Sequence, residues 1–243
     1  MNKVNMYCLS LHDEDYDKIK NLGYTPVGLG KKKFSELWLR DNQGINISEK
    51  NEFYGEYTFH YWLWKNKINE MKDGTWTGFC AYRRFWLSSK KTTFTQNHDN
   101  FLTRVPDEWE NYDAILGQQF FINKMKFSKL LKHSMRSLIS YPPAIFEKNR
   151  NIRFHFNSFH GFGKLDKAID LLNDEDREDF REFTIKNTSY NMGNMFICKS
   201  KKIITMYYES IFPWLKKCES TFGLKSGSYG ETRIYGFLAE RYL

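Results

Sequence analysis

Two neighbouring stretches decide the fold: Asn46–Asn66, NISEKNEFYGEYTFHYWLWKN, and Thr77–Trp86, TGFCAYRRFW. In the first, Ser48 carries the hydroxyl with which an N-cap accepts a free backbone N–H, and Glu49 suits the positive end of a helix. Phe53, Tyr57, Tyr61, Trp64 and Ile68 follow at helical spacing and make one apolar stripe. Asn51, Tyr54, Thr58, Trp62 and Lys65 lie on a neighbouring stripe that is aromatic and polar together. In the second, Gly78–Trp86 is a short apolar run interrupted by two adjacent arginines. A strand ending in Tyr82-Arg83-Arg84 delivers two guanidinium groups to a sheet edge, which is where open α/β sheets bind ligands.

The totals narrow the classes around this centre. The chain has 243 residues, a formal charge of +8 and a pI near 9.1, which suits an anionic partner: nucleic acid, a membrane surface or a phosphorylated small molecule. Aromatic residues make up 18% of it; such rings stack on bases and sugars, but burial is their ordinary use. Cys8, Cys80, Cys198 and Cys218 are scattered with no metal-ligand spacing, as in a reduced, cytosolic chain. There is no signal-peptide pattern, and no apolar run approaches the ~20 residues that a span needs. The expectation is a soluble protein, or one lying on a membrane surface.

On the N-terminal side, Val4–Leu11 reads as a buried strand and Tyr24–Gly30 (YTPVGLG) as a turn-rich segment. Lys31, Lys32 and Lys33 follow, ordinarily a solvated run but also a possible contact for phosphate or lipid headgroups. On the C-terminal side, Lys90–Glu110 reads as loop, Tyr112–Gly117 as strand and Phe127–Ser140 as helix. His155 and His160 sit among phenylalanines without further ligands at zinc spacing, so packing is their simpler use. Lys164–Ile185 is helical, Tyr190–Lys199 a strand entered through Asn191 and Asn194, and Ile203–Glu219 and Glu231–Leu243 are helices. Strands alternating with helices predict one α/β domain over residues 1–243, with a mainly parallel central sheet flanked by helices. The dinucleotide fingerprint, the P-loop and the nucleophile elbow are all missing.

YTPVGLG, NISEKNEFYGEYTFHYWLWKN, GFCAYRRF, NMFICK (Asn194–Lys199) and RIYGFLAERYL (Arg233–Leu243) together resemble a family of bacterial capsule and O-antigen biosynthesis proteins long catalogued as a domain of unknown function. Some members are assigned as galactofuranosyl or related glycosyltransferases. The resemblance covers essentially the whole chain and implies a variant of the GT-A glycosyltransferase fold. It has two departures. Ala81 stands where members usually carry His, and Glu231 stands where they usually carry Gln.

Resemblance and residues meet on one chemistry. Transfer from a nucleoside diphosphate sugar, here expected to be UDP-linked, leaves negative charge on the departing diphosphate, which fixed cations stabilise. Arg83 and Arg84 suit that role through bidentate phosphate pairing. By position in related folds, Ser10 and His12 would meet the nucleobase, and Lys50, Asn51, Tyr54, Lys65, Tyr82, Asn191 and Asn194 complete the implied donor-binding set. Asp113 is the first candidate for the base that takes the acceptor's proton, with Glu231 and Glu240 as alternatives.

GT-A enzymes commonly hold Mn²⁺ or Mg²⁺ with an Asp-x-Asp after the strand that here ends in Ala81-Tyr82-Arg83-Arg84. The Asp-x-Asp patterns present, Asp13–Asp15, Asp15–Asp17 and Asp174–Asp176, lie elsewhere. The expectation is transfer without a required metal. The acceptor implied is a glycan or lipid-linked glycan at the inner face of an anionic membrane, with peripheral attachment. A nucleic-acid-binding domain is the competing reading, but the basic residues are dispersed and no such motif is present. A non-catalytic scaffold of a polysaccharide assembly complex is a third.

Overall fold

Strand Asn5–Ser10 is the centre of a six-stranded sheet that grows outward from it in both directions. The computed structural model describes residues 2–88, 100–124 and 127–243, with the side chains of Phe127, Lys129, Leu130 and Leu131 left out. In chain order the elements are β1 (Asn5–Ser10), α1 (Tyr16–Asn21), β2 (Thr25–Gly28), β3 (Leu39–Arg40), α2 (Asn51–Tyr54), α3 (Tyr57–Asn66), β4 (Thr77–Ala81), β5 (Ala114–Leu116) and β6 (Gln119–Phe121), then α4 (Phe127–Ser140), α5 (Ile152–Phe159), α6 (Lys164–Asp170), α7 (Asp174–Lys186), β7 (Ser189–Asn191), β8 (Phe196–Cys198), α8 (Lys201–Phe222), α9 (Tyr229–Thr232) and α10 (Ile234–Tyr242). They form two compact units. One contains residues 1–117 and 193–209, the other 118–192 and 210–243.

In the first unit the strand order is β3-β2-β1-β4-β8-β5. β1, β2, β3 and β4 are parallel, while β8 runs antiparallel to both β4 and β5. The α/β class and mainly parallel sheet predicted from the sequence are therefore present. Alternation along β1 separates two cores. Met6 and Cys8 pack with Ile19 of α1, Trp38, Trp76 and Cys80 on one face. On the other, Tyr7 and Phe79 meet Phe59 and His60 of α3.

The helix predicted from Ser48 is broken. A 3-10 turn at Ser48–Lys50 leads into α2, which stops at Gly55 before α3 begins. Gly55 has φ 60° and ψ −135°, a conformation open to glycine and almost nothing else. Ser48 does not cap with its side chain; its N–H instead donates to the Asn46 side chain at 3.2 Å. The predicted apolar stripe is buried only in part, at Tyr57 and Ile68. Tyr57, Thr58, Phe59, His60, Trp62 and Leu63 of α3 are all buried, while Tyr61 and Trp64 are half-exposed.

Other boundaries shift for similar reasons. The segment read as turns, Tyr24–Gly30, holds β2, and β3 and β6 are short strands that the pattern did not predict. The single strand expected over Tyr190–Lys199 is two, β7 and β8, parted by Gly193 (φ 96°) and Asn194 (φ 55°) in left-handed conformations. The helix expected over Lys164–Ile185 is split at residues 171–173 into α6 and α7. Much of the loop expected over Lys90–Glu110 lies outside the described residues.

In the second unit, β6 and β7 form an antiparallel pair, and Ile122, Ile152 and Tyr190 pack together. Asn151 caps α5 by accepting the Phe154 N–H at 2.8 Å. The buried Arg150 guanidinium donates to the carbonyls of Asn123, Ala144 and Ile145.

His60 links the core of the first unit to acid stability. It is fully buried, its Nδ1 is 2.8 Å from the Tyr208 hydroxyl, and burial pushes its pKa down to about 3. Below pH ~6.5 the unfolded chain takes up a proton that the folded chain refuses, so stability is complete above that pH and falls as pH drops toward the folded value. At pH 5 the expected loss is about 2 kcal/mol at ~1.4 kcal/mol per pH unit. Urea midpoints at pH 7.5 and pH 5.0 measure this, and His60→Leu should flatten the dependence. An equal pH dependence in that variant would contradict it.

Candidate functional site

Outward growth from β1 creates a switch point. The chain steps from β1 to β2 and β3 on one side and returns to lay β4 on the other, with Leu9 opposite Ala81. In open α/β sheets the crevice beyond the strand ends at such a point is the place where ligands bind. Here it is flanked by the residues that follow β1 and the residues that follow β4.

After β4 the chain turns at once. The Ala81 N–H donates to the Arg84 carbonyl at 3.2 Å, and the Arg84 N–H returns to the Ala81 carbonyl at 2.8 Å. The predicted strand thus ends at Ala81, and Tyr82, Arg83 and Arg84 form a tight turn with both arginines exposed. The Tyr82 N–H donates to the Leu9 carbonyl at 3.0 Å, fastening the turn to β1. The Arg83 guanidinium lies over the Tyr82 ring, 4.7 Å from its centre. Arg84 extends along Gly193: a Cβ built on that glycine would come 2.8 Å from Arg84 Nη1.

Asn194 is next to Gly193. Antiparallel pairing sets Ile197 opposite Gly78, so the start of β8 lies at the end of β4. Asn194 is buried, and among the described residues its Oδ1 has no hydrogen-bond partner. A buried acceptor left open is costly unless something fills it. The structure therefore brings Tyr82, Arg83, Arg84 and Asn194 together.

After β1, the Ser10 hydroxyl donates to Asp15 Oδ2 at 2.6 Å and accepts the His12 N–H at 3.0 Å. Ser10 is buried and orders this turn rather than offering its hydroxyl to a base. His12 is half-exposed, its Nε2 3.3 Å from the Tyr82 hydroxyl and its ring against the Tyr82 ring. His12 and Tyr82 thus join the two sides of the switch point.

The remaining candidates divide. Asn51 does reach this sheet edge, with its Cβ beside Gly30, but its amide donates to the Gly55 carbonyl and the Thr58 hydroxyl. Lys50 is half-exposed just ahead of it. Tyr54 is buried, as is Trp62, which stacks on Phe59. Lys65 is on the last turn of α3, which runs back toward the strand starts, and its ammonium lies 3.3 Å over Trp64. Asn191 belongs to β7 in the second unit.

The structure does not bring Asp113 to the arginines. β5 runs in the same direction as β4, with Ala114 level with Thr77 through Cys198, so the residue before β5 lies at the strand-start edge. Its carbonyl accepts the Lys199 N–H at 2.9 Å there. Five residue steps, about 16 Å at ~3.3 Å each, separate that level from Ala81. Of the alternatives, Glu231 accepts the Ser228 N–H and hydroxyl at the start of α9, which holds its carboxyl below the usual range. Glu240 is buried against Arg241 in the second unit.

Sequence reasoning missed Asp41. It is fully buried, its Oδ1 accepts the Gly30 N–H at 3.0 Å, and the Thr58 hydroxyl beside it partly offsets the effect of burial on its titration. Burial raises its pKa. Arg40, beside it, donates to the Gly28 and Gly30 carbonyls at 2.9 and 2.6 Å, so together they fix the loop after β2. No spacing in the sequence marks either residue. As for metal, the carboxylates near this edge are engaged separately: Asp13 accepts the Ser35 N–H, Asp15 the Ser10 hydroxyl and Asp41 the Gly30 N–H. Among the described residues no group of three or more His, Cys, Asp or Glu converges as a cation site.

The family model described as a domain of unknown function, DUF4422, matches residues 7–243. The chain belongs to the DUF4422 family. No curated protein matches it. Among solved structures, this DUF4422 chain is similar to the apo structure of WbbM, a bifunctional glycosyltransferase, with a TM-score of 0.66 and 22% identity. The match covers 99% of this chain and 41% of that one, so the DUF4422 chain spans less than half of WbbM's length. What the likeness establishes is the fold, that of a glycosyltransferase structure.

Proposed function

We propose that the chain is a single glycosyltransferase domain that moves a hexose from a UDP-linked sugar to a growing, lipid-linked capsule or O-antigen glycan at the inner face of the cell membrane. The observation that carries this reading is the turn after β4. At the switch point, where a catalytic GT-A sheet would hold its donor, the chain places two exposed guanidinium groups, and the turn itself contains no carboxylate. Arg83 and Arg84 bind the diphosphate and neutralise it as it leaves. Asn194 Oδ1 accepts a hydroxyl of the donor, and His12 with Tyr82 forms the wall on the β1 side. Lys50 and Lys31–Lys33, exposed or half-exposed on neighbouring loops, add positive potential that draws the donor in. Fixed cations substitute for a divalent ion, so turnover needs none.

A panel of nucleotide sugars tests the proposal by thermal shift, in EDTA. One donor should raise the melting temperature, by an amount that grows as its concentration passes its Kd; ~100 Kd of ligand corresponds to about 2.7 kcal/mol. Radiolabelled sugar should then pass to lipid-linked acceptor in the same buffer. No shift with any donor would refute the proposal, donor binding without turnover would favour the scaffold, and activity that returns only with Mn²⁺ or Mg²⁺ would refute metal independence.

A further inference from the structure

Residues 132–140 of α4 turn serines inward and apolar side chains outward. Ser134 and Ser137 are buried on its inner face, while Met135 is 58% exposed and Ile139 78% exposed. Lys132, Met135, Arg136 and Ile139 follow at spacings of three, one and three, so they form one exposed stripe of two cations and two apolar side chains. Small buried serines let α5 approach closely, Leu138 is half-buried against Ala144 and Phe154, and Met135 and Ile139 are left outward. Exposed apolar surface resumes in the turn that follows, at Ile145 (49%) and Phe146 (63%), after Ala144, which is buried against Phe154. Exposed apolar side chains grouped on one helix face and its following turn mark a contact surface.

Charge identifies the occupant. From Gln118 to Phe146 the sequence has five Lys or Arg and no Asp or Glu. Apolar residues flanked by unopposed cations match an anionic lipid surface, where the apolar groups enter the headgroup boundary and the long basic side chains reach the phosphates. A protein partner would call for neither this one-sided charge nor prolines at Pro142 and Pro143 in the exposed turn. Among the described residues no helix is long and apolar enough to cross a membrane, so attachment through this face would be peripheral. We infer that the outward stripe of α4 and the turn through Phe146 form the membrane-docking surface of the chain, seated on anionic lipid. This rests on the proposed lipid-linked acceptor and replaces Lys31–Lys33 as the principal lipid contact; those lysines follow Gly30, beside the donor edge.

Co-sedimentation with phosphatidylcholine vesicles containing 30% phosphatidylglycerol, and with phosphatidylcholine alone, tests it in 50 mM and 500 mM NaCl. The intact chain should bind the anionic vesicles at low salt only. Lys132→Gln/Arg136→Gln should weaken binding by about 25-fold, near fivefold per cation, and Met135→Ser/Ile139→Ser by at least about tenfold. Lys31→Gln/Lys32→Gln/Lys33→Gln should stay within about fivefold of the intact chain. The intact chain and the two α4 variants should melt alike and keep the thermal shift with donor, which separates a failure of docking from a failure of the glycosyltransferase reading. Undiminished binding by both α4 variants would overturn the assignment of the face while leaving membrane attachment standing. Absence of vesicle binding by the intact chain would overturn both. A dimer in sedimentation that Met135→Ser/Ile139→Ser dissociates would give the face to a second copy and also overturn the inference.

Discussion

Replacing Arg83 and Arg84 together by alanine is expected to lower kcat/KM for sugar transfer by a factor of roughly 10² to 10⁴, since each charge-assisted contact contributes about 1.5–3 kcal/mol. The variant should still fold. Both side chains are exposed, and the turn they occupy is closed by backbone bonds between Ala81 and Arg84 and between Tyr82 and Leu9, which alanine preserves. The loss should fall on kcat as well as on KM, because negative charge on the diphosphate grows as the sugar departs. The single variants need not be equal. Arg83 is backed by the Tyr82 ring, whereas Arg84 is aligned along Gly193 beside Asn194. Turnover equal to the intact chain in the double variant would show both arginines to be structural.

The second large effect is on stability. Arg241→Ala should destabilise the fold by about 3–5 kcal/mol, the cost typical of breaking a buried ion pair from one side. Arg241 is 2% exposed, pairs with the buried Glu240, stacks 3.9 Å over Tyr190 and lies 3.3 Å from His160 Nε2. Alanine removes the guanidinium and leaves Glu240 buried beside a cavity. For a chain of this length the melting temperature should fall by roughly 10 °C at ~2–4 °C per kcal/mol. Replacing both members, Glu240→Leu with Arg241→Leu, should recover much of the loss, because the desolvation cost disappears with the charges. A drop below about 2 °C in the single variant would mean that the pair contributes little.

The sheet was legible where apolar runs were long and bounded, as at β1 and β4. It was not where turn residues sit inside strands. Pro26 and Gly28 made β2 read as a turn, yet Pro26 pairs in register with Cys8: the Leu29 N–H donates to Ser10 of β1, so by alternation the Pro26 nitrogen faces the β3 side, where pairing begins only at Val27 and no donor is needed. Gly55 is the one sequence sign of the break in the predicted helix, since a glycine within a helical pattern is a natural place for it to stop. Gly193 and Asn194 divide what looked like one strand. Both are left-handed, and only the glycine announces that from sequence.

At the candidate site, the two arginines were legible because a strand followed by charged residues projects them past a sheet edge. Partners were not. Nothing in the pattern around Ser10 or Asn51 says that their polar groups are used within the fold, by Asp15 and by Gly55 and Thr58. Asp113 stands before the strand that follows the arginines, but β5 runs in the direction of β4, and a residue that precedes such a strand lies at the end away from the switch point. Asn194 gained its place from β8 running backwards beside β4, a pairing that spans more than a hundred residues.

The central claim is that the turn after β4 holds a nucleoside diphosphate. Calorimetric titration of UDP into the intact chain and into Arg83→Ala/Arg84→Ala, both in EDTA, measures it directly. The prediction is a saturable isotherm for the intact chain and an affinity at least about 100-fold weaker for the variant, equivalent to two charge-assisted contacts at the lower end of their range. Equal binding by the two proteins, or no binding of UDP by the intact chain, would contradict it.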